Sequence, residues 1–190
     1  MCQDDDSLMR RTAAGEELAF QQLLARWQQP VFSFLAHMLS SVEEAEDMTQ
    51  ETFIKVFAQA GRYRPEGKFR SWVLRIAGNQ ARSVLRRRRI LRWVDFNPAV
   101  HDHAATGPNP LQDLARRETS REVQAAVQSL PERQRQAVVL KRWQGLSYQE
   151  IAEVLETTVP AVESLLQRAA DSLRQRLALL VEPASRKEQS

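Results

Sequence analysis

Seven residues between Lys68 and Arg89 constrain this chain more than any other feature. Lys68, Ser71, Arg75, Asn79, Arg82, Arg86 and Arg89 recur at steps of three and four. That spacing stacks side chains along one line of an α-helix, whereas a strand would alternate them between two faces. Phe69, Trp72, Val73, Ile76, Ala77, Val84 and Leu85 supply a separate apolar face. The segment from Phe69 to Leu91 is therefore predicted to be one long helix. Like charges on successive turns oppose it by roughly a few tenths of a kcal/mol per neighbour. A polyanion would remove that cost, so nucleic acid is the expected occupant, weighed against a plain solvated surface helix. Arg and Lys would neutralise phosphates, and Asn79 has the donor and acceptor to read a base edge.

The formal net charge of +3 conceals this concentration. Residues 1–61 carry 4 basic and 10 acidic side chains, residues 62–93 carry 11 and 1, and residues 94–190 carry 12 and 13. A single cysteine, Cys2, excludes an internal disulfide framework and argues against a thiolate zinc site. His101-x-His103 has no carboxylate or thiol cluster at ligand spacing, so no metal is expected. No run approaches the roughly 18 apolar residues of a membrane span, and the start Met-Cys-Gln-Asp-Asp-Asp is acidic where a secretory signal would be basic. A cytoplasmic location is expected. The scattered 6 glycines form no phosphate-cradling loop, and no catalytic spacing of Ser, His or carboxylates stands out. Neither a cofactor, a small-molecule substrate nor an enzymatic activity is expected.

The chain reads as all-α, with two small helical domains joined by a flexible linker. Residues 1–94 form the first and 113–182 the second. The Pro- and Gly-containing segment 95–112 links them, and 183–190 is a tail. In the first domain a helix is expected from about Glu16 to Arg26, with Leu18, Leu23 and Leu24 on its apolar side. Pro30 marks its limit or a kink, and Val31–Leu39 continues apolar. Ser41-Val-Glu-Glu44 has the pattern of a capping box. The following helix runs to about Ala60, with Val42, Ala45, Met48, Thr52, Phe53, Val56 and Phe57 as its apolar stripe and Gly61 as its end. Its acidic first half suits a helix N-terminus, or else a surface for protein docking. Tyr63, Phe69, Trp72 and Trp93 are candidates for stacking on unpaired bases and equally for the core.

In the second domain Leu114, Val123, Val127 and Leu130 suggest a first helix. Pro131 starts another, with Ala137, Val138, Val139 and Leu140 buried. Ser147-Tyr-Gln-Glu150 is a second capping-box pattern opening a short helix with Ile151, Ala152 and Leu155 inward. Glu156-Thr-Thr158 makes a turn, and a long helix follows from Val159-Pro160 to about Leu180. Short helix, tight turn and long helix read as a helix-turn-helix, the alternative being an ordinary helical hairpin.

Four segments resemble one family in its order and spacing. Ala45-Glu-Asp-Met-Thr-Gln-Glu-Thr-Phe-Ile-Lys-Val-Phe57 is similar to the polymerase-docking helix of extracytoplasmic-function sigma factors. Phe69-Arg-Ser-Trp-Val-Leu-Arg-Ile-Ala-Gly-Asn-Gln-Ala81 with its arginine run resembles their promoter-melting helix. Leu130-Pro-Glu-Arg-Gln-Arg-Gln-Ala and Gly145-Leu-Ser-Tyr-Gln-Glu-Ile-Ala-Glu-Val-Leu155 resemble the signature of their second domain. The resemblance implies a factor that binds core RNA polymerase and directs it to promoter DNA, opening the minus-ten region without ATP. By position, Asp47, Gln50, Glu51 and Phe53 would meet polymerase. Lys68, Ser71, Arg75, Asn79, Arg82 and Arg86 would meet the minus-ten element. Thr157, Thr158, Ser164, Gln167 and Arg168 would meet the minus-thirty-five element. It also implies an anti-sigma partner, which could be membrane-tethered.

Glu163, Leu165 and Pro160 depart from the pattern of many relatives, as does Glu156 at a turn position where Gly is common. Weak duplex binding by the isolated second domain is the expectation. The competing readings are a conventional helix-turn-helix regulator and a helical adaptor.

Overall fold

The structure, a computed structural model, describes residues 4–94 and 122–181. Among them every regular element is helical. The first half holds α1 (Asp5–Ala13), α2 (Glu17–Leu39), α3 (Val42–Ala58), a 3₁₀ turn (Ala60–Arg62) and α4 (Phe69–Val94). The second holds α5 (residues 122–128), α6 (Glu132–Arg142), α7 (Tyr148–Leu155) and α8 (Val159–Val181). The expected linker 95–112 with His101 and His103, the tail 183–190, Cys2 and Leu114 lie outside the described residues, as does the side chain of Trp93.

Helix α1 has no counterpart in the sequence reading. The backbone N–H of Ser7 donates to the Asp4 carboxylate at 2.6 Å, capping the helix. Asp5 accepts the indole N–H of Trp27 at 3.1 Å and pairs with Arg26. Asp6 accepts from the Tyr63 hydroxyl and, at 2.6 Å, from the backbone N–H of Gly67. Asp5 thus binds α1 to α2, and Asp6 binds it to the loop that leads into α4.

Helix α2 corrects the expected boundary at Pro30, because the chain stays helical through it to Leu39. An interior proline costs about 3 kcal/mol. The same helix buries Leu23, Val31, Phe34, Leu35, Met38 and Leu39, each worth about 1.5–3 kcal/mol of burial, so packing outweighs the break. Leu18, expected on the apolar side, is 67% exposed. It lies at the start of the helix, before the buried stripe.

Ser41 caps α3 through a bond from the Glu44 N–H at 3.2 Å. The other half of the expected box does not form. Glu44 pairs with Arg88 of α4 instead, exchanging a local contact for a long-range one. Ala45, Thr52, Phe53 and Val56 are buried, while Val42 and Phe57 of the expected stripe are exposed. Gly61 lies within the 3₁₀ turn that follows. Between α3 and α4, Lys55 donates to Gln80 Oε1 at 3.0 Å and Gln80 donates to Thr52 Oγ1 at 2.7 Å.

In the second half Val127 and Leu130 are buried, but Val123 is exposed. The expected core of α6 is present in Ala137, Val139 and Leu140, with Val138 half-buried. Pro131 stands one position earlier than expected, at the N-cap. Gly145, at φ 65°, turns the chain toward α7. There the capping box is complete: Ser147 Oγ accepts from Glu150 N–H at 3.2 Å, and the Ser147 N–H donates to Glu150 at 2.8 Å. Glu156 ends α7 in the left-handed region, φ 50° and ψ 56°. Ile151, Ala152, Val154 and Leu155 of α7 share the buried core with Val162 of α8.

The two halves rest on each other along α2 and α4. The last turns of α2 expose carbonyls without intrahelical donors. Gln128 donates to that of His37 at 2.7 Å, Arg135 to Met38 at 2.9 Å and Arg88 to Leu39 at 3.1 Å. Further up the helix, Gln144 donates to Pro30 at 3.2 Å. The rings of His37 and Trp143 lie 4.5 Å apart.

Candidate nucleic-acid and protein interfaces

Helix α3 presents Asp47, Gln50 and Glu51 to solvent. Steps of three and four place them on one face. Phe53 does not join them. It is 3% exposed and belongs to the core, so it anchors the face rather than forming it. Sequence reasoning missed the apolar part of this surface. Ile54 is 67% exposed and Phe57 is 54% exposed, the latter edge-to-face with Phe20 at 5.1 Å. Their exposure follows from the narrow buried stripe of α3, which a count of apolar positions overestimates.

The basic line of α4 divides in two. Lys68 precedes the helix and its carbonyl accepts from Trp72 N–H at 3.0 Å. Ser71 is buried and Arg75 is half-buried. Farther along, Asn79, Arg86 and Arg89 are exposed and Arg82 is half-buried. Arg82 donates to Asn79 Oδ1, within the line itself. The aromatic candidates form a cluster of their own. Tyr63 and Trp72 stand 5.0 Å apart and Tyr63 and Phe69 5.9 Å. Phe69 is buried, and it also meets Trp27 at 5.7 Å. Burial, followed by the bond to Asp6, pushes the Tyr63 phenol well above its ordinary pKa. Phe69 is therefore a core residue, while Tyr63 and Trp72 keep partly open edges.

The first half of the line meets α7. Lys68 Nζ lies 2.9 Å from Glu153, Arg70 lies 3.6 Å from Glu150, and Arg75 lies 3.3 Å from Glu156. Arg70 also donates to the carbonyl of Gln144. The hydrogen bond to Glu153 raises the Lys68 pKa.

On α8, Ser164, Gln167 and Arg168 share an exposed face, with Thr158 exposed and Thr157 half-buried in the turn before it. Gln167 reaches Asp171 at 3.3 Å and Arg168 Nε donates to the Ser164 carbonyl at 3.1 Å. Glu163 is exposed, whereas Leu165 packs against the core. Among the described residues no helix is long and apolar enough to cross a membrane.

Known proteins match both halves. Residues 23–90 match sigma-70 region 2, and residues 120–173 match sigma-70 region 4. The RNA polymerase sigma-H factor of Pseudomonas aeruginosa is 31% identical over 96% of this chain and 98% of its own length. The extracytoplasmic-function RNA polymerase sigma-E factor of Haemophilus influenzae is 31% identical over 93% and 97%. The solved structure of CnrH, in complex with the cytosolic domain of CnrY, covers 92% of this chain and 97% of CnrH at 27% identity and a TM-score of 0.69. The chain belongs to the extracytoplasmic-function sigma factors of the sigma-70 family. It is a transcription-initiation factor.

Proposed function

We propose that the exposed faces of α3, α4 and α8 divide the work of initiation. Asp47, Gln50 and Glu51 dock on core RNA polymerase, with Phe53 as their anchor in the core. Lys68, Arg75, Asn79, Arg82 and Arg86 hold the opened minus-ten strand, and Ser71, buried on the same line, supports it from within. Thr157, Thr158, Ser164, Gln167 and Arg168 meet the minus-thirty-five element in the major groove. The observation that carries this reading is the bracing of two oppositely charged faces on adjoining helices. Lys55, Gln80 and Thr52 join the acid-bearing α3 to the basic α4. A polymerase held by one face therefore presents DNA to the other in fixed register.

Opening needs no ATP on this reading. Captured bases and backbone contacts supply the energy. The protein works in the cytoplasm, without chemistry, cofactor or small-molecule substrate of its own. Residues 1–94 and 113–182 act as its two domains. An anti-sigma partner covers them until a signal releases it, as the binding of a CnrY domain to the similar CnrH suggests.

The test is co-purification with core polymerase followed by run-off transcription from promoters identified by sequencing polymerase-bound DNA. Asp47→Lys with Glu51→Lys is expected to abolish co-purification. Arg82→Ala with Arg86→Ala is expected to keep co-purification and lose run-off product. Operator binding without polymerase, together with no transcription from any promoter, would sink the proposal in favour of a conventional regulator.

A further inference from the structure

Neither the cap of α1 nor its docking on α2 uses the side chain of Asp6. The cap is Asp4, which accepts the Ser7 N–H at 2.6 Å. The docking comes from Asp5, through Arg26 and Trp27, and from fully buried Leu8 and Met9. Both oxygens of the Asp6 carboxylate leave the helix instead. Oδ1 accepts from the Tyr63 hydroxyl, and Oδ2 accepts from the Gly67 N–H at 2.6 Å. Those donors stand at the two ends of the loop that joins the 3₁₀ turn to α4. Between them Arg64, Pro65 and Glu66 are exposed. An exposed loop of this kind loses conformational freedom when it grips a ligand, unless something has already ordered it.

The two anchored ends carry the groups that an unpaired strand needs. The Tyr63 ring lies 5.0 Å from that of Trp72, and both keep partly open edges. Gly67 leads directly into exposed Lys68, whose carbonyl accepts the Trp72 N–H at 3.0 Å as α4 begins. One carboxylate therefore sets an aromatic pair and the first cation of the basic line together, and aromatic faces beside cations are the elements of single-strand binding. We infer that Asp6 is a positioning residue for capture of the opened minus-ten strand, holding the loop of residues 63–67 in its binding shape before DNA arrives. The inference rests on the reading of α4 as the minus-ten surface. Asp6 acts through Tyr63 and Gly67 rather than on DNA. It lies outside residues 23–90, the stretch that matches sigma-70 region 2, so it brings α1 into a task that the reading gives to α4 alone. Ordering the loop in advance removes that cost from the binding step.

The experiment uses the full chain assembled with core RNA polymerase. Asp6→Ala removes both bonds. Asp6→Asn keeps the shape of the side chain but leaves one oxygen for two donors. Tyr63→Phe keeps the ring and removes the hydroxyl. Thermal midpoints check folding, and titration of core polymerase reads docking. Anisotropy of a labelled single-stranded minus-ten oligonucleotide, from a promoter found by sequencing polymerase-bound DNA, reads strand capture. Asp6→Ala is expected to capture the strand about tenfold more weakly with core affinity unchanged. Asp6→Asn should lose capture in the same direction. Adding Tyr63→Phe to Asp6→Ala should cause no further loss, because the hydroxyl acts through the carboxylate.

Native capture by folded Asp6→Ala would overturn the inference. So would capture and core affinity falling together, the mark of general support for the fold. Losses from Asp6→Ala and Tyr63→Phe that multiply would overturn it too, since Tyr63 would then act without Asp6. If Asp6→Ala does not fold, Asp6→Asn carries the same comparison. Arg82→Ala with Arg86→Ala separates the two readings. If that holoenzyme captures the strand as the native one does, the DNA reading of α4 fails. If it loses capture while folded Asp6→Ala keeps it, only the role of Asp6 fails.

Discussion

A β-carbon placed on Gly78 would fall 2.1 Å from Nε2 of Gln136, so α4 passes α6 where any larger residue must move that amide. Gln136 is buried, and neither end of its amide finds a partner among the described residues. Alanine gains about 1 kcal/mol over glycine in a helix interior, but here it must displace that amide. Gly78→Ala is expected to be neutral to destabilising by about 1 kcal/mol in the native chain, and stabilising by about 1 kcal/mol with Gln136→Ala. Urea unfolding of the four proteins of the cycle gives the coupling, and a value of zero would mean that the helices do not meet there.

Phe53 and Glu51 should separate stability from docking. Phe53→Ala removes a core ring and should cost about 3–5 kcal/mol, read as a lower unfolding midpoint. Glu51→Lys touches an exposed side chain whose i+4 contact with Lys55 is long, at 3.9 Å. It should leave the midpoint within about 0.5 kcal/mol while weakening co-purification with polymerase. Equal stability losses in the two variants would contradict this assignment.

Relief of backbone strain gives an opposite sign at Glu156. Its left-handed φ of 50° costs a residue with a β-carbon about 1 kcal/mol that glycine does not incur. The lost pair with exposed Arg75 is worth about 0–1 kcal/mol. Glu156→Gly should therefore raise the thermal midpoint of the chain or leave it unchanged. A clear fall would show that the pair contributes more than exposed pairs usually do.

Acid should loosen the start of α7. The Glu150 carboxyl is held below its ordinary pKa of 4.5, first by the Ser147 backbone N–H, then by the Ser147 hydroxyl, with Arg70 and Lys141 adding to the effect. A depressed folded value makes the contribution complete above the unfolded pKa. It is lost as pH falls from about 4.5 through the folded value. Ser147→Ala should cost about 1 kcal/mol at neutral pH and flatten this acid slope. Urea midpoints at neutral and acid pH test it, and parallel slopes in the two proteins would refute the assignment.

Much of the architecture was legible because it depends on local periodicity. The basic line of α4, the capping box at Ser147 and the turn before α8 each declare themselves within a few residues. Pro30 left a helix limit or a kink open, because its local cost is visible in sequence, whereas the burial of Val31, Phe34 and Leu35 that carries the helix through it is not. Asp5 and Asp6 read as part of an acidic start, since Trp27, Tyr63 and Gly67 lie far along the chain. Phe53 was legible as apolar but not as core rather than contact. That distinction depends on which side of α3 faces α2 and α4. Arg135 gave no signal of its role, because the carbonyl it meets at Met38 is 97 residues away.

The ties from the second half to α2 also have a consequence in mass action. Gln128, Arg135 and Gln144 reach carbonyls that water could equally well solvate. Because both halves belong to one chain, each meets the other as an intramolecular partner, at an effective concentration well above that of a separate protein in dilute solution. An outside ligand must therefore exceed a threshold before it displaces the internal contact. A large assembly that grips both halves at once gains avidity and crosses that threshold, whereas stray polyanions that meet only one half do not.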